Sequence, residues 1–195
     1  MRWIHRGDLP AQMTEWFGED VDIESREDRY LTGARLPNLS VKVRGGEQLD
    51  VKVFRGTVGD VHVTGRARGR MERWEKWTFP FASPAGDAGR APGWTGVRKE
   101  RRLRSFALVD GRAVRTGAGG TAGPECTVEL TAVLVGEAHW WTLGLEATGA
   151  AEGRRAVLEA AAESVFERPL PHGLRVQLTN SSSYAEMLGR LGGVT

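Results

Sequence analysis

The sequence has a single cysteine, Cys126. An internal disulfide and a thiolate metal cluster are therefore excluded, and a reducing cytoplasm is the expected location. A surplus of one charge is missing too: 27 Lys and Arg face 25 Asp and Glu, a net charge of +2. That balance excludes a polybasic tail or an acidic disordered tract as the main theme, and nucleic acid is not the expected partner. No apolar run approaches the roughly 18 residues of a membrane span. The opening MRWIHRGDLP lacks the apolar core of a secretion signal. His5, His62, His139 and His172 lie far apart without HxH or HxxxH spacing, which argues against a zinc site. There is no phosphate-binding GxxxxGK[ST] and no GxSxG nucleophile elbow. GAGGTA at 117–122 matches a dinucleotide fingerprint, but Gly123, Pro124 and a strand follow it where a helix is required.

What is present points to β-structure. The 195 residues suit one domain, taken as 1–195, with a real core. Glycine is abundant, 26 residues, and there are seven tryptophans, which fits a sheet with many turns and aromatic packing. LSVKVR at 39–44 sets Val41 and Val43 against Lys42 and Arg44. LDVKVF at 49–54 sets Val51 and Val53 against Asp50 and Lys52, and Gly45-Gly46 between the two runs predicts a hairpin. Further extended runs are read from Val21, at 61–64, 70–79 and 97–109, and in CTVELTAVLV and WWTLGLEA, with Asp110-Gly111 as a tight turn. Residues 80–96 and 116–124 read as loops. Helical periodicity is clear at 153–166, and SYAEMLGRL predicts a short helix capped by Ser182 or Ser183. Residues 1–20 show only rough helical spacing at Leu9, Met13, Trp16 and Phe17. The expected fold is α+β and mainly β: an antiparallel meander of about eight strands, closed or strongly curved into a barrel, with helices at the termini.

The polar faces of these strands carry long cationic side chains. In an open sandwich such faces are solvated and carry no functional meaning. In a barrel with the charged face inward they line a tunnel. Burying that many like charges requires paired acids or a bound polyanion. Both architectures remain open from the charge pattern alone.

The strand order resembles the CYTH family, the triphosphate tunnel proteins, over residues 24 to about 150. REDRYL supplies Arg26, Asp28 and Tyr30 at alternate positions; SVKVRGG supplies Lys42 and Arg44; LDVKVFRG supplies Lys52. RGRMERWEKW resembles the Arg-x-Glu strand, with Arg70 and Glu72, and VRKERRLRSF the K-x-R strand, with Lys99 and Arg101. LVDG and TVELT resemble the family's Asp turn and Glu-rich strand, with Asp110 and Glu129. The family's N-terminal E-x-E-x-K is missing, its nearest echo being DIESR with Glu24, and the alternate position after Glu129 is Thr131.

The resemblance implies a closed tunnel for a phosphate-rich small molecule: tripolyphosphate, a nucleoside triphosphate or an organic diphosphate. Lys42, Arg44, Lys52, Arg70, Lys99 and Arg101 are then the substrate-binding cations. A metal-dependent phosphohydrolase would use Glu129 and Glu146 as catalytic carboxylates. Glu72, Glu129, Glu146 and Asp28 would hold Mg²⁺ or Mn²⁺. Because the cations are better kept than the acids, a non-catalytic binding module is the competing expectation. A third uses Trp74, Trp140 and Trp141 as an aromatic wall for chemistry on an isoprenoid diphosphate.

Overall fold

The computed structural model describes residues 1–32, 36, 38–81, 92–117 and 123–191, except for the side chain of Leu191. Most of the two expected loops, at 80–96 and 116–124, thus lies outside the described residues. The elements run β1 (Arg2–Arg6), α1 (Ala11–Phe17), β2 (Asp22–Leu31), β3 (Leu39–Arg44), β4 (Gln48–Val63), β5 (Ala67–Pro80), β6 (Trp94–Val109), β7 (Arg112–Thr116), β8 (Glu125–Val135), β9 (Ala138–Thr148), α2 (Arg154–Phe166) and α3 (Tyr184–Leu191). The protein is mainly β, an antiparallel sheet curled into a half-barrel, as its alternating patterns predict.

The sheet is not a simple meander. Its order is β1-β9-β8-β6-β2-β3-β4-β5, with β7 beside β6. β6 pairs with β2 on one side and β8 on the other, and β1 returns to pair with β9. Hairpin chemistry fixes the local pairs: Asp110 and Gly111 both take positive φ, the conformation of a tight β6–β7 turn. β4 absorbs the separate 61–64 strand by two register shifts, next to Gly56 and Gly59, whose φ values of 123° and 122° suit glycine. Such bulges bend the β4–β5 ribbon strongly.

Strand parity then sorts residues to two sides. On one side, Val128, Leu130, Leu143, Leu145 and Phe106 pack with Met13, Trp16 and Phe17 of α1 and with Val157, Ala161 and Phe166 of α2, forming the main core. On the other side the sheet is charged, except at one end. There Tyr30, Val97, Val133 and Val135 meet Met187 and Leu188 of α3, which closes the concavity as a floor. α3 begins with a capping box: the Glu186 amide donates to Ser183 Oγ at 3.1 Å, and the Ser183 amide donates to Glu186 Oε2 at 2.9 Å.

The edges β1 and β5 are joined by the chain leading into α3. Arg68 N–H donates to Val176 O and Ser182 N–H donates to Arg2 O, both at 2.9 Å. Trp3 Nε1 also donates across the seam to Arg68 O at 2.9 Å. The approach requires glycine at position 69, where a Cβ would lie 2.5 Å from Trp3 Cζ2. The entrance segment read only as helical thus contains the short strand β1. Its five residues carry too little alternation to announce it, and its pairing partner lies over 130 residues away.

Candidate functional site

The charged concave side encloses a cavity of about 560 Å³. Ten of its lining residues are Lys or Arg and four are Asp or Glu. With a net charge of only +2 on the chain, the cationic surplus is concentrated here and the rest of the molecule is correspondingly acidic. The expectation of a charged face turned inward therefore describes this sheet.

Three carboxylates organise the cations. Asp28, on β2, is fully buried. Its Oδ2 accepts from Lys42 Nζ at 3.0 Å and Lys99 Nζ at 2.9 Å, with Arg26 Nε at 3.4 Å. Lys99 also donates to the Tyr30 hydroxyl at 2.6 Å, and its ammonium lies over the Tyr184 ring at 4.2 Å. Burial pushes the Asp28 carboxyl up, but Lys99, Lys42 and Arg26 outweigh it and hold the group well below the usual carboxylate range. For Lys42 the balance is reversed. Burial and the neighbouring Lys99 lower its ammonium to about 7, against the pull of Asp28.

Asp50 is the second hub. It takes Arg44 at 2.9 Å, Lys76 at 3.3 Å and Lys42 at 3.8 Å, and accepts from the Thr78 hydroxyl at 2.8 Å. Glu129 is the third. Arg2 Nη1 donates to it at 3.0 Å, Thr131 Oγ1 donates at 2.7 Å, and Arg101 binds its other oxygen. Arg2 reaches Glu129 by crossing Gly144, which stands opposite both residues in the ladder; a Cβ there would be 2.9 Å from Arg2 Cζ. Burial raises the Glu129 carboxyl, yet Arg2 and Arg101 hold it well below its ordinary value.

The expected residues divide as follows. Lys42, Arg44, Lys52, Lys99, Glu72, Glu129 and Glu146 all line the cavity. Lys52 donates to Glu146 at 2.8 Å, and that carboxylate is 55% exposed within the concavity. Arg70 does not line the cavity; it bridges Glu72 and Glu186 and so ties β5 to the start of α3. Arg101 lies between Glu24 and Glu129, outside the lining, and Asp28 lies beneath Lys42 and Lys99. Asp110 sits in the β6–β7 turn, apart from the site. Of the three tryptophans, Trp74 lines the cavity and donates from Nε1 to Glu72. Trp141 belongs to the main core and Trp140 packs against the floor cluster, so the aromatic wall reduces to Trp74.

Arg2, Asp50 and Lys76 were missed as site residues. Arg2 follows from a strand too short to read. Asp50 and Lys76 share the cationic parity of their strands and could have been found from it.

The carboxylates do not fit a resident Mg²⁺ or Mn²⁺. Asp28, Glu129, Glu146 and Glu72 each answer to a separate Lys or Arg partner, and among the described residues no three His, Cys, Asp or Glu side chains are grouped to hold a metal ion. The first strand offers Arg2 and Ile4 at the alternating positions where an E-x-E-x-K pattern would bring two glutamates. No helix among the described residues is long and apolar enough to cross a membrane. In comparisons with known protein families, curated proteins and solved structures, nothing matches the chain.

The buried charges predict a domed stability profile. The Lys42 amine titrates at about 7 folded and 10.5 unfolded, so between these values the unfolded chain binds more protons and stability rises with pH. Between pH 9 and about 10.5 that rise is cancelled, and beyond it reversed, because burial pushes the Cys126 thiol from 9.0 up to about 12 and only the unfolded thiol ionises. In acid, the depressed Asp28 and Glu129 carboxyls lose their contribution as pH falls through their folded values. Urea unfolding across this range should show a broad maximum between about pH 9 and 10.5; a flat profile from pH 7 to about 9 contradicts the Lys42 environment.

Proposed function

We propose that the chain binds a phosphate-rich small molecule in this cavity without a resident metal. The ligand class is tripolyphosphate, a nucleoside triphosphate or an organic diphosphate. The observation that carries this reading is that ten Lys and Arg side chains and four acids line one concave space of about 560 Å³, with only the buried Asp28 beneath three of those cations. A polyanion supplies the counter-charge that the sheet's own carboxylates do not. Arg44, Lys52 and Lys76 face the cavity from neighbouring strands, and Arg73, Arg154 and Arg155 add cations to the same lining. Charge-assisted contacts from such donors hold phosphate oxygens more strongly than neutral ones. Resemblance to the triphosphate tunnel proteins supports the same ligand class.

The carboxylates expected to be catalytic suit binding better than acid catalysis. Arg2 and Arg101 hold Glu129 ionised, and Lys52 does the same for Glu146. Neither is a proton donor near neutral pH.

Titration calorimetry with tripolyphosphate in EDTA-containing buffer tests the reading. Binding should persist without divalent metal and weaken with salt. Lys52→Ala should lose roughly tenfold or more in affinity, the scale of one charge-assisted contact at about 1.5–3 kcal/mol. Absence of binding by tripolyphosphate, ATP and an organic diphosphate alike would overturn the proposal.

A further inference from the structure

The chain contains only four lysines, Lys42, Lys52, Lys76 and Lys99, and every one lines the cavity. Apart from the four histidines, the remaining basic residues are all arginine. For holding phosphate, arginine is the better donor, since its planar fork binds bidentately and never loses its proton. Lysine differs from it in being an amine that can shed its proton and attack carbon. Confining every lysine to one concave space points to amine chemistry beyond charge.

Lys42 is the one placed for it. It lines the cavity, and its side chain is 9% exposed. Its amine shares a single oxygen, Asp28 Oδ2, with Lys99 at 2.9 Å and Arg26 at 3.4 Å, so one carboxylate faces three cations. Asp50, the next carboxylate at 3.8 Å, is already bound by Arg44, Lys76 and Thr78. The Tyr30 ring lies 5.7 Å away. This crowding favours the neutral amine, in keeping with a value lowered to about 7.

We propose that Lys42 condenses through its Nζ with the aldehyde or ketone carbonyl of a phosphate-bearing small molecule held in the cavity. The proposal rests on the anion-binding reading above. Nζ attacks the carbonyl carbon to give a carbinolamine. Loss of the carbinolamine hydroxyl with a proton then leaves an imine and one water, so no oxidant, reductant or cofactor takes part. Arg44, Lys52 and Lys76, on the same concave face, hold the phosphate end.

Reductive trapping provides the test. The full chain is incubated with glyceraldehyde 3-phosphate and cyanoborohydride at neutral pH, and adducts are mapped by peptide mass spectrometry. The expected result is one adduct, on Lys42, formed at least roughly tenfold faster than on the other lysines, because the cations crowded on Asp28 favour the neutral form of this amine. Unphosphorylated glyceraldehyde should label it far more slowly, tripolyphosphate should protect it, and Lys42→Arg should abolish the adduct. Labelling spread evenly over the four lysines, or none while tripolyphosphate still binds, overturns the amine proposal and leaves the anion site standing. Failure of tripolyphosphate either to bind or to protect removes the anion site itself. The wild-type map and the protection measurement decide the matter even if the arginine variant does not fold.

Discussion

Asp28→Asn is expected to lower stability by about 3–5 kcal/mol, the cost of leaving a buried charge without its partner. Asp28 is fully buried, accepts from both Lys42 and Lys99, and forms an ion pair with Arg26. Asparagine fills the same space but supplies no charge. Lys42 can respond by releasing its proton; Arg26, whose guanidinium stays charged, keeps only its 3.0 Å pair with the partly exposed Glu24. The floor cluster beneath, with Tyr30 and Val97, is apolar and offers no alternative counter-charge. Urea denaturation checks the size, and two further observations check the cause. Lys99→Met in the Asp28→Asn background should recover part of the loss, since it removes one of the uncompensated cations. Tripolyphosphate should stabilise the variant more than the wild type, by supplying the missing charge as a ligand of the native state. A loss under about 1 kcal/mol, in the range of an ordinary surface pair, would mean that Asp28 does not anchor the cluster.

The feature that makes this position sensitive was partly legible in the sequence. Period two along LSVKVR and LDVKVF places Lys42, Arg44 and Lys52 on one side, and the structure keeps that parity. Parity states which side of a strand a residue occupies, not what stands across from it. The partners depend on register between strands distant in sequence. Lys99 meets Asp28 because β6 pairs with β2, and Arg2 meets Glu129 because β1 pairs with β9 and glycine occupies position 144 between them. Neither pairing follows from a neighbouring hairpin, so a sequential meander is the wrong expectation here. Arg70 shows the same limit from the other side. Its parity matches Glu72 and Trp74, yet Glu186 at the start of α3 draws it out of the lining. The Ser183 cap was legible locally; that the helix it starts would close the floor was not.

Glu129→Gln should separate stability from ligand affinity, moving them in opposite directions. The carboxylate compensates two guanidiniums, Arg2 and Arg101, and accepts the Thr131 hydroxyl. Glutamine retains the shape and one acceptor but leaves Arg2 uncompensated and Arg101 with Glu24 alone, a loss of roughly 3 kcal/mol in the native state. For a bound polyanion the same change is favourable. It removes a negative charge from the cavity lining and leaves Arg2 facing it, with Arg101 just behind. At about 8 Å and an effective dielectric near 20, one unit charge contributes about 2 kcal/mol before salt screening, so an affinity gain of about five- to tenfold is the expected scale. Urea unfolding and calorimetry with tripolyphosphate on the same variant read both quantities. Weaker stability with unchanged affinity would place the anion somewhere other than this cavity. Weaker affinity, above all if it appears only in the presence of Mg²⁺ or Mn²⁺, would show that Glu129 contacts a ligand-borne metal, contrary to the metal-free reading. Tighter binding in a less stable protein is the result that follows from a concave sheet whose acids restrain an excess of cations without cancelling it.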